Sequence, residues 1–336
     1  MSELIDLRSD TVTRPGPGMR AAMAAAEVGD DVLGQDPTAQ RLQELAAERF
    51  GFEAALFFVS GTQSNLAALM THCQRGDEYL VGQEAHSYRY EQGGAAVLGS
   101  IQPQPLNNQP DGTLALTDLA AAIKPDDAHF CRTRLLTLEN TIHGKVLPAS
   151  YVAEALVFAR AHGLATHLDG ARLLNAMTAR GCGEREIASG FDTVSLCLSK
   201  GLGAPAGTLL LGSKPLIAQA RRWRKALGGG LRQVGVLAAA GLYALEHHVG
   251  RLAEDHENAR QLGEGLRALG LEVEPVQTNM VFVRIPPSRV AALAASLKQQ
   301  GVQALIGERS RLVTHLDFKA EQIAPVIEGF RRGLAA

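Results

Sequence analysis

Tryptophan and cysteine are scarce in this chain, with one Trp and four Cys in 336 residues. Cys73, Cys131, Cys182 and Cys197 are scattered and form no Cys-x-x-Cys pair. That pattern argues against a disulfide framework or a thiolate zinc site, and for free thiols in a reducing compartment. Long hydrophobic runs are also missing: none reaches the ~18 residues a membrane-spanning helix requires. The opening, with Glu3 and Asp6, lacks the basic segment and apolar core of a signal peptide, so a cytoplasmic location is expected. Nor is there an excess of one charge. Lys plus Arg number 33 against 35 Asp plus Glu, a formal net charge of −2, so neither nucleic acid nor an anionic membrane is an expected partner. The densest basic run, Arg221-Arg222-Trp223-Arg224-Lys225, reads as a solvated helix face. There are no repeats and no low-complexity tails.

What is present describes an ordinary globular chain, 46% hydrophobic and 20% charged, long enough for a large domain and a smaller one. Strand-like runs at 55–59, 78–81, 135–138, 164–168, 193–198 and 208–211 alternate with helical stretches such as 151–162 and 216–227. This alternation predicts an α/β fold with a mostly parallel sheet and right-handed crossovers. Nearly continuous helix from about Leu237 to Leu269, broken around His247–Gly250, leads into a strand–helix–strand–helix unit. The expected organisation is an N-terminal arm (1–15), a large domain (16–245) and a small α+β domain (246–336).

Two polar residues stand where apolar strands stop: Asp169 in Leu164-Ala-Thr-His-Leu-Asp-Gly-Ala-Arg172, and Lys200 in Thr193-Val-Ser-Leu-Cys-Leu-Ser-Lys-Gly201. Ligands of open α/β sheets gather at such strand ends. A desolvated lysine can form a Schiff base, and a carboxylate can keep a pyridine nitrogen protonated, so the pair points to pyridoxal 5'-phosphate. Ser60-Gly61-Thr62 joins a strand to a helix and offers exposed amides to a phosphate, although Ser or Thr there also serves as an ordinary helix cap. Gly201-x-Gly203-x-x-x-Gly207 has the wrong spacing and position for a dinucleotide fingerprint, which sets a nicotinamide cofactor aside.

His86 closes a strand-like segment and suits ring stacking or proton exchange, or is simply a hydrogen-bonded loop histidine. His129, in Asp127-Ala-His-Phe130, carries a weaker signal. His247, His248 and His256 fall on a polar helical stretch, and no metal site is expected. Arg172 and Arg311 are candidate bidentate partners for a substrate carboxylate; the alternative for each is a surface arginine.

Taken together, Asp6-Leu-Arg-Ser-Asp-Thr-Val-Thr13, Val28-Gly-Asp-Asp31, Ser60-Gly-Thr62, Gly94–Ile101, His167-Leu-Asp-Gly-Ala-Arg172, Leu198-Ser-Lys-Gly-Leu-Gly203, Gly228-Gly-Gly-Leu-Arg-Gln233, Thr278-Asn-Met280 and Arg311-Leu-Val-Thr-His315 are in a consistent order across nearly the whole chain. The chain thereby resembles the low-specificity L-threonine aldolases, pyridoxal phosphate enzymes of the aspartate-aminotransferase fold (fold type I). The resemblance implies cleavage of L-threonine, L-allo-threonine and other β-hydroxy-α-amino acids to glycine and an aldehyde. It implies Lys200 as the Schiff-base lysine, Asp169 as partner of the pyridine nitrogen, Gly61 and Thr62 in the phosphate cup, and His86 stacked on the ring. Ser9, Arg311 and Arg172, the last beside the cofactor as well, would grip the substrate carboxylate. Lys225 and Arg232 would reach the phosphate from a neighbouring subunit, and Tyr90 and His129 would line the side where the aldehyde leaves. The proton acceptor would be His86, His129 or a water between them. A homo-oligomer with active sites at a dimer interface, a tetramer, is implied too.

Two positions depart from the pattern: Leu33 replaces an expected tyrosine, and Thr141-Ile-His-Gly-Lys145 replaces Thr-His-Asn-Gly, so His143 is given no role. The alternative is another pyridoxal enzyme of the same fold, a β-eliminating lyase or an aminotransferase.

Overall fold

The computed structural model describes residues 4–335; Glu3 and the rest of residues 1–3 of the arm lie outside the described residues. The strands are β1 (Ile5–Asp6), β2 (Ala54–Phe58), β3 (Asp77–Gly82), β4 (Gln102–Leu106), β5 (Arg132–Glu139), β6 (Ala165–Gly170), β7 (Thr193–Cys197), β8 (Thr208–Gly212), β9 (Met280–Arg284), β10 (Val302–Gln303) and β11 (Arg309–Val313).

Seven of them form one sheet in the order β2-β8-β7-β6-β5-β3-β4. All run in one direction except β8, which is antiparallel to both β7 and β2. Every residue of β7 and of β8 is buried, as expected of central strands with helices on both faces. The parallel pairing makes β5, β6 and β7 end together, with Glu139 opposite Asp169 and Asp169 opposite Ser195. That alignment builds the site. The sequence pattern does not predict β4, whose residues are Gln-Pro-Gln-Pro-Leu. It survives because it lies at the sheet edge, where a proline's missing N–H can face away from the ladder.

Residues beyond Arg251 build a second core from the helices Leu252–Ala268, Val290–Gln299 and Ile323–Ala335 packed on the antiparallel pair β9–β11. Its buried members include Leu262, Leu266, Val283, Leu312 and Phe330. The N-terminal arm enters this same core. β1 pairs in parallel with β10, and Ile5 and Leu7 are buried there. No helix among the described residues is long and apolar enough to cross a membrane.

Candidate active site

Asp169 lies at the end of β6, 4% exposed. Its Oδ2 accepts a hydrogen bond from Asn65 Nδ2 at 2.7 Å, and its Oδ1 accepts one from the Ala171 N–H at 3.0 Å, which together fix the plane of the carboxylate. Lys200 follows β7 in the neighbouring turn. Its carbonyl accepts from Thr13 Oγ1 at 3.1 Å and from the Gly203 N–H at 2.8 Å, so backbone contacts hold the position of the lysine. Gly203 has φ +76°, a left-handed conformation that glycine adopts without strain. The Lys200 charge is felt by Asp10, His86, Glu139 and Cys197, which puts the amine within one electrostatic neighbourhood of the strand ends.

His86 begins the short helix after β3. Its N–H donates to Glu139 Oε2 at 2.7 Å, and its Nδ1 lies 2.8 Å from Glu91 Oε1. The Glu91 hydrogen bond, against the opposing effect of burial, raises the imidazole above its ordinary pKa. Burial raises Glu91 as well, partly offset by hydrogen bonds from His86 and Asn65. Glu139 is pushed upward by burial and by the charge of Asp169. Tyr90 is exposed, with its ring centroid 5.7 Å from that of His86.

The residues expected at the substrate carboxylate come from three parts of the chain. Arg172 donates from Nε to Asp10 Oδ2 at 2.7 Å and from Nη2 to Asp10 Oδ1 at 2.5 Å. Burial alone would raise the Asp10 carboxyl, but Arg172 and then Lys200 outweigh it and hold it at about 2. Asn279 adds a hydrogen bond to Asp10 Oδ2 at 3.3 Å. Arg311, on β11, is lowered by burial and by the charge of Arg172, and also feels Asp10 and Tyr90; these residues converge from the arm and both cores. Ser9 precedes Asp10 and accepts from the Thr11 N–H at 3.2 Å.

At the end of β2, Ser60 caps the helix Gly61–His72 through the Gln63 N–H at 3.2 Å. The Gly61 and Thr62 N–H groups, at the helix start, carry no hydrogen bond among the described residues, and this end of a helix favours an anion. A Cβ at Gly61 would lie 2.9 Å from Cys197 Sγ, so only glycine lets the helix approach β7 this closely. The Gly228–Gly230 loop packs against Gln63, whose Nε2 donates to the Leu227 carbonyl at 3.1 Å. Lys225 and Arg232 flank that loop. Arg232 is exposed and bonds Asp30 Oδ2 at 2.9 Å, while Lys225 lines a cavity of about 400 Å³ with Arg221 and Arg222.

A pyridoxal phosphate fits this arrangement. A buried carboxylate at one strand end, an amine at the next, and free helix-start amides beside a glycine that admits close approach are the donor and acceptor set such a group needs.

One expected residue is not brought to the site. His129 is exposed and bonded to Asp127 in the loop before β5, at the amino ends of the strands. The eight residues of β5 span about 25 Å between it and the Glu139–Asp169 level. Within one chain, then, it neither shares a water with His86 nor lines the cleft. Leu33 is exposed on a turn, and His143 lies 3.4 Å from Glu84. Asp10, Asn65, Glu91 and Glu139 are not marked as site residues by any sequence motif. The available signals were weak: Asn65 is one helical turn past Gly61, and Glu91 is five residues past His86.

Residues 6–286 match the model of the beta-eliminating lyase family. The low-specificity L-threonine aldolase of Escherichia coli K12 is 55% identical over 332 residues, covering 99% of this chain and all of that one. The low-specificity L-threonine aldolase 1 of Arabidopsis thaliana is 42% identical, covering 98% of this chain and 96% of its own. Among solved structures, the Leishmania major threonine aldolase superposes with a TM-score of 0.86 at 21% identity, covering 99% of this chain and 100% of that one. The mostly parallel sheet and this superposition make the fold that of type I pyridoxal phosphate enzymes. The chain belongs to the low-specificity L-threonine aldolase family of pyridoxal phosphate lyases.

Proposed function

We propose that the cleft cleaves the Cα–Cβ bond of L-threonine, L-allo-threonine and related β-hydroxy-α-amino acids, releasing glycine and an aldehyde. The observation that carries this is the meeting of Asp169, Lys200 and the His86–Glu91 pair with a two-arginine carboxylate grip. Pyridoxal phosphate, when bound, supplies the electron sink for the pair left on Cα. Lys200 would hold it, Asp169 would keep its ring nitrogen protonated, and Gly61 and Thr62 would receive its phosphate.

Arg172 and Arg311, with Ser9, fix the substrate carboxylate and so the rotation of Cα, which decides which bond is exposed to cleavage. Asp10 orients Arg172 for that purpose. His86 has its Nδ1 tied to Glu91, leaving Nε2 to take the proton of the β-hydroxyl, a contribution typically of about 10²–10⁴-fold. The same imidazole would lie against the cofactor ring, and Tyr90, 5.7 Å from that imidazole centroid to centroid, would line the aldehyde side.

The separate cores support a division into arm (1–15), large domain (16–245) and small domain (246–336). Lys225 and Arg232 point to a homo-oligomer, a tetramer, in which they reach a neighbour's phosphate, and the free cysteines fit a cytoplasmic protein. The test is product analysis: purified holoenzyme should convert L-threonine to glycine and acetaldehyde, and Lys200→Ala should lose all turnover. Formation of a keto acid would replace this reading with transamination.

A further inference from the structure

Asn65 is buried on the helix Gly61–His72 and makes three hydrogen bonds that use its whole amide. Nδ2 donates one hydrogen to Asp169 Oδ2 at 2.7 Å and the other to Glu91 Oε1 at 3.0 Å. Oδ1 lies 3.2 Å from His167 Nε2, which must therefore be the protonated ring nitrogen. His167 Nδ1 is then bare and accepts from Thr193 Oγ1 at 2.9 Å. Thr193, having spent its proton, accepts in turn from His72 Nε2 at 2.8 Å. Burial lowers His167 to about 3 and His72 to about 4, so both rings are neutral at working pH and each can play this donor-and-acceptor part. The chain of bonds has one consistent direction, ending on two carboxylates that serve different halves of the chemistry.

We propose that Asn65 is a positioning residue that clamps the Asp169 and Glu91 carboxylates with one amide, and that the His167 N–H, seated by the buried relay through Thr193 to His72, holds that amide in place. A flipped amide would turn Oδ1 toward two carboxylates, so the carboxylates exclude that state and the amide in turn sets the His167 tautomer. This rests on reading Asp169 as the pyridine-nitrogen partner. The effect on Glu91 does not, because the His86–Glu91 pair exists without cofactor.

The test substitutes His167→Leu, which removes the donor to Asn65, and His167→Gln, which returns an N–H donor in similar reach. Two quantities are measured: the NMR titration of the His86 imidazole in apoprotein, and the apparent Kd for pyridoxal phosphate from absorbance. His86 is faced by Glu91, Glu139, Asp169 and Lys200, and Glu91 also by Tyr79; none of these changes in the variants. Losing the amide hydrogen bond makes Glu91 hold its proton more tightly and leaves the Asp169 carboxylate free to turn. In His167→Leu the His86–Glu91 pair should therefore titrate at higher pH, and cofactor affinity should fall about tenfold or more. His167→Gln should recover both. Where His167→Leu gives no folded protein, Thr193→Val removes the next bond of the relay and should move both quantities the same way. Wild-type titration and affinity in a less stable variant overturn the proposal. A shifted titration with unchanged affinity retains the clamp on Glu91 but refutes the reading of Asp169.

Discussion

A buried guanidinium that loses its counter-charge costs about 3–5 kcal/mol, so Arg172 depends on Asp10. Asp10→Ala should destabilise the protein by that order; Asp10→Asn also loses the counter-charge but keeps one acceptor for Arg172, so it should cost less and also raise KM for threonine by loosening the carboxylate grip. Acid sensitivity provides an independent measurement. The folded Asp10 carboxyl sits at about 2, below its ordinary 3.8, so its contribution is full above pH ~4 and disappears as pH falls through about 2. The contribution is about 2 kcal/mol, and Asp10→Asn should flatten the acid limb of a denaturation series by that amount. Wild-type KM with an unchanged acid limb would show that the pair carries neither load. At this scale Lys200 and Asp169 were legible because a polar residue closing an apolar strand is conspicuous. Asp10, Asn65 and Glu91 were not, because a buried acid or amide reads like a surface one until the fold brings together residues such as Asn65 and Asp169, 104 positions apart.

Elements were legible wherever the hydrophobic period was strong. The helical stretch broken near His247–Gly250 is the pair Gly235–His247 and Leu252–Ala268, and the expected strand at 193–198 is β7. The sheet order, the antiparallel β8 and the two-residue strands β1 and β10 carry no such signal, since pairing is decided by long-range packing. The helix Gly61–His72 shows the consequence for function. Its start presses on β7 so closely that a methyl at position 61 would meet Cys197 Sγ, which Thr208 Oγ1 holds at 3.3 Å. Gly61→Ala should therefore displace the phosphate-facing amides and weaken cofactor binding about tenfold, in line with overpacking costs of about 1–3 kcal/mol. Adding Cys197→Ala makes room for the methyl and should restore most of the affinity. An affinity untouched by the single change, read by absorbance titration of apoprotein, would mean the helix start does not face the phosphate.

Across the whole molecule the N-terminal arm ties the two cores together at the cleft. Leu7 is fully buried in the smaller core, Asp10 grips Arg172 in the larger domain, and Thr13 Oγ1 bonds the Lys200 carbonyl. The seven residues Leu7–Thr13, with a 3-10 turn at Asp10–Val12, thus link hydrophobic anchoring to the carboxylate grip and the lysine turn. Anchoring and chemistry should separate experimentally. Leu7→Ala leaves a cavity in a packed core and should cost about 2–5 kcal/mol. The loss should fall on the smaller core, visible as an earlier unfolding transition by calorimetry or as early proteolysis beyond Arg251. Well below that transition the arm still sits in its groove through β1 and β10, so kcat should stay near wild type. Asp10→Asn should show the reverse, with a raised KM and little change in the melting of the smaller core at neutral pH. If Leu7→Ala instead raises KM as strongly as Asp10→Asn at low temperature, the arm acts as one rigid lever, and the division between anchor and grip is wrong.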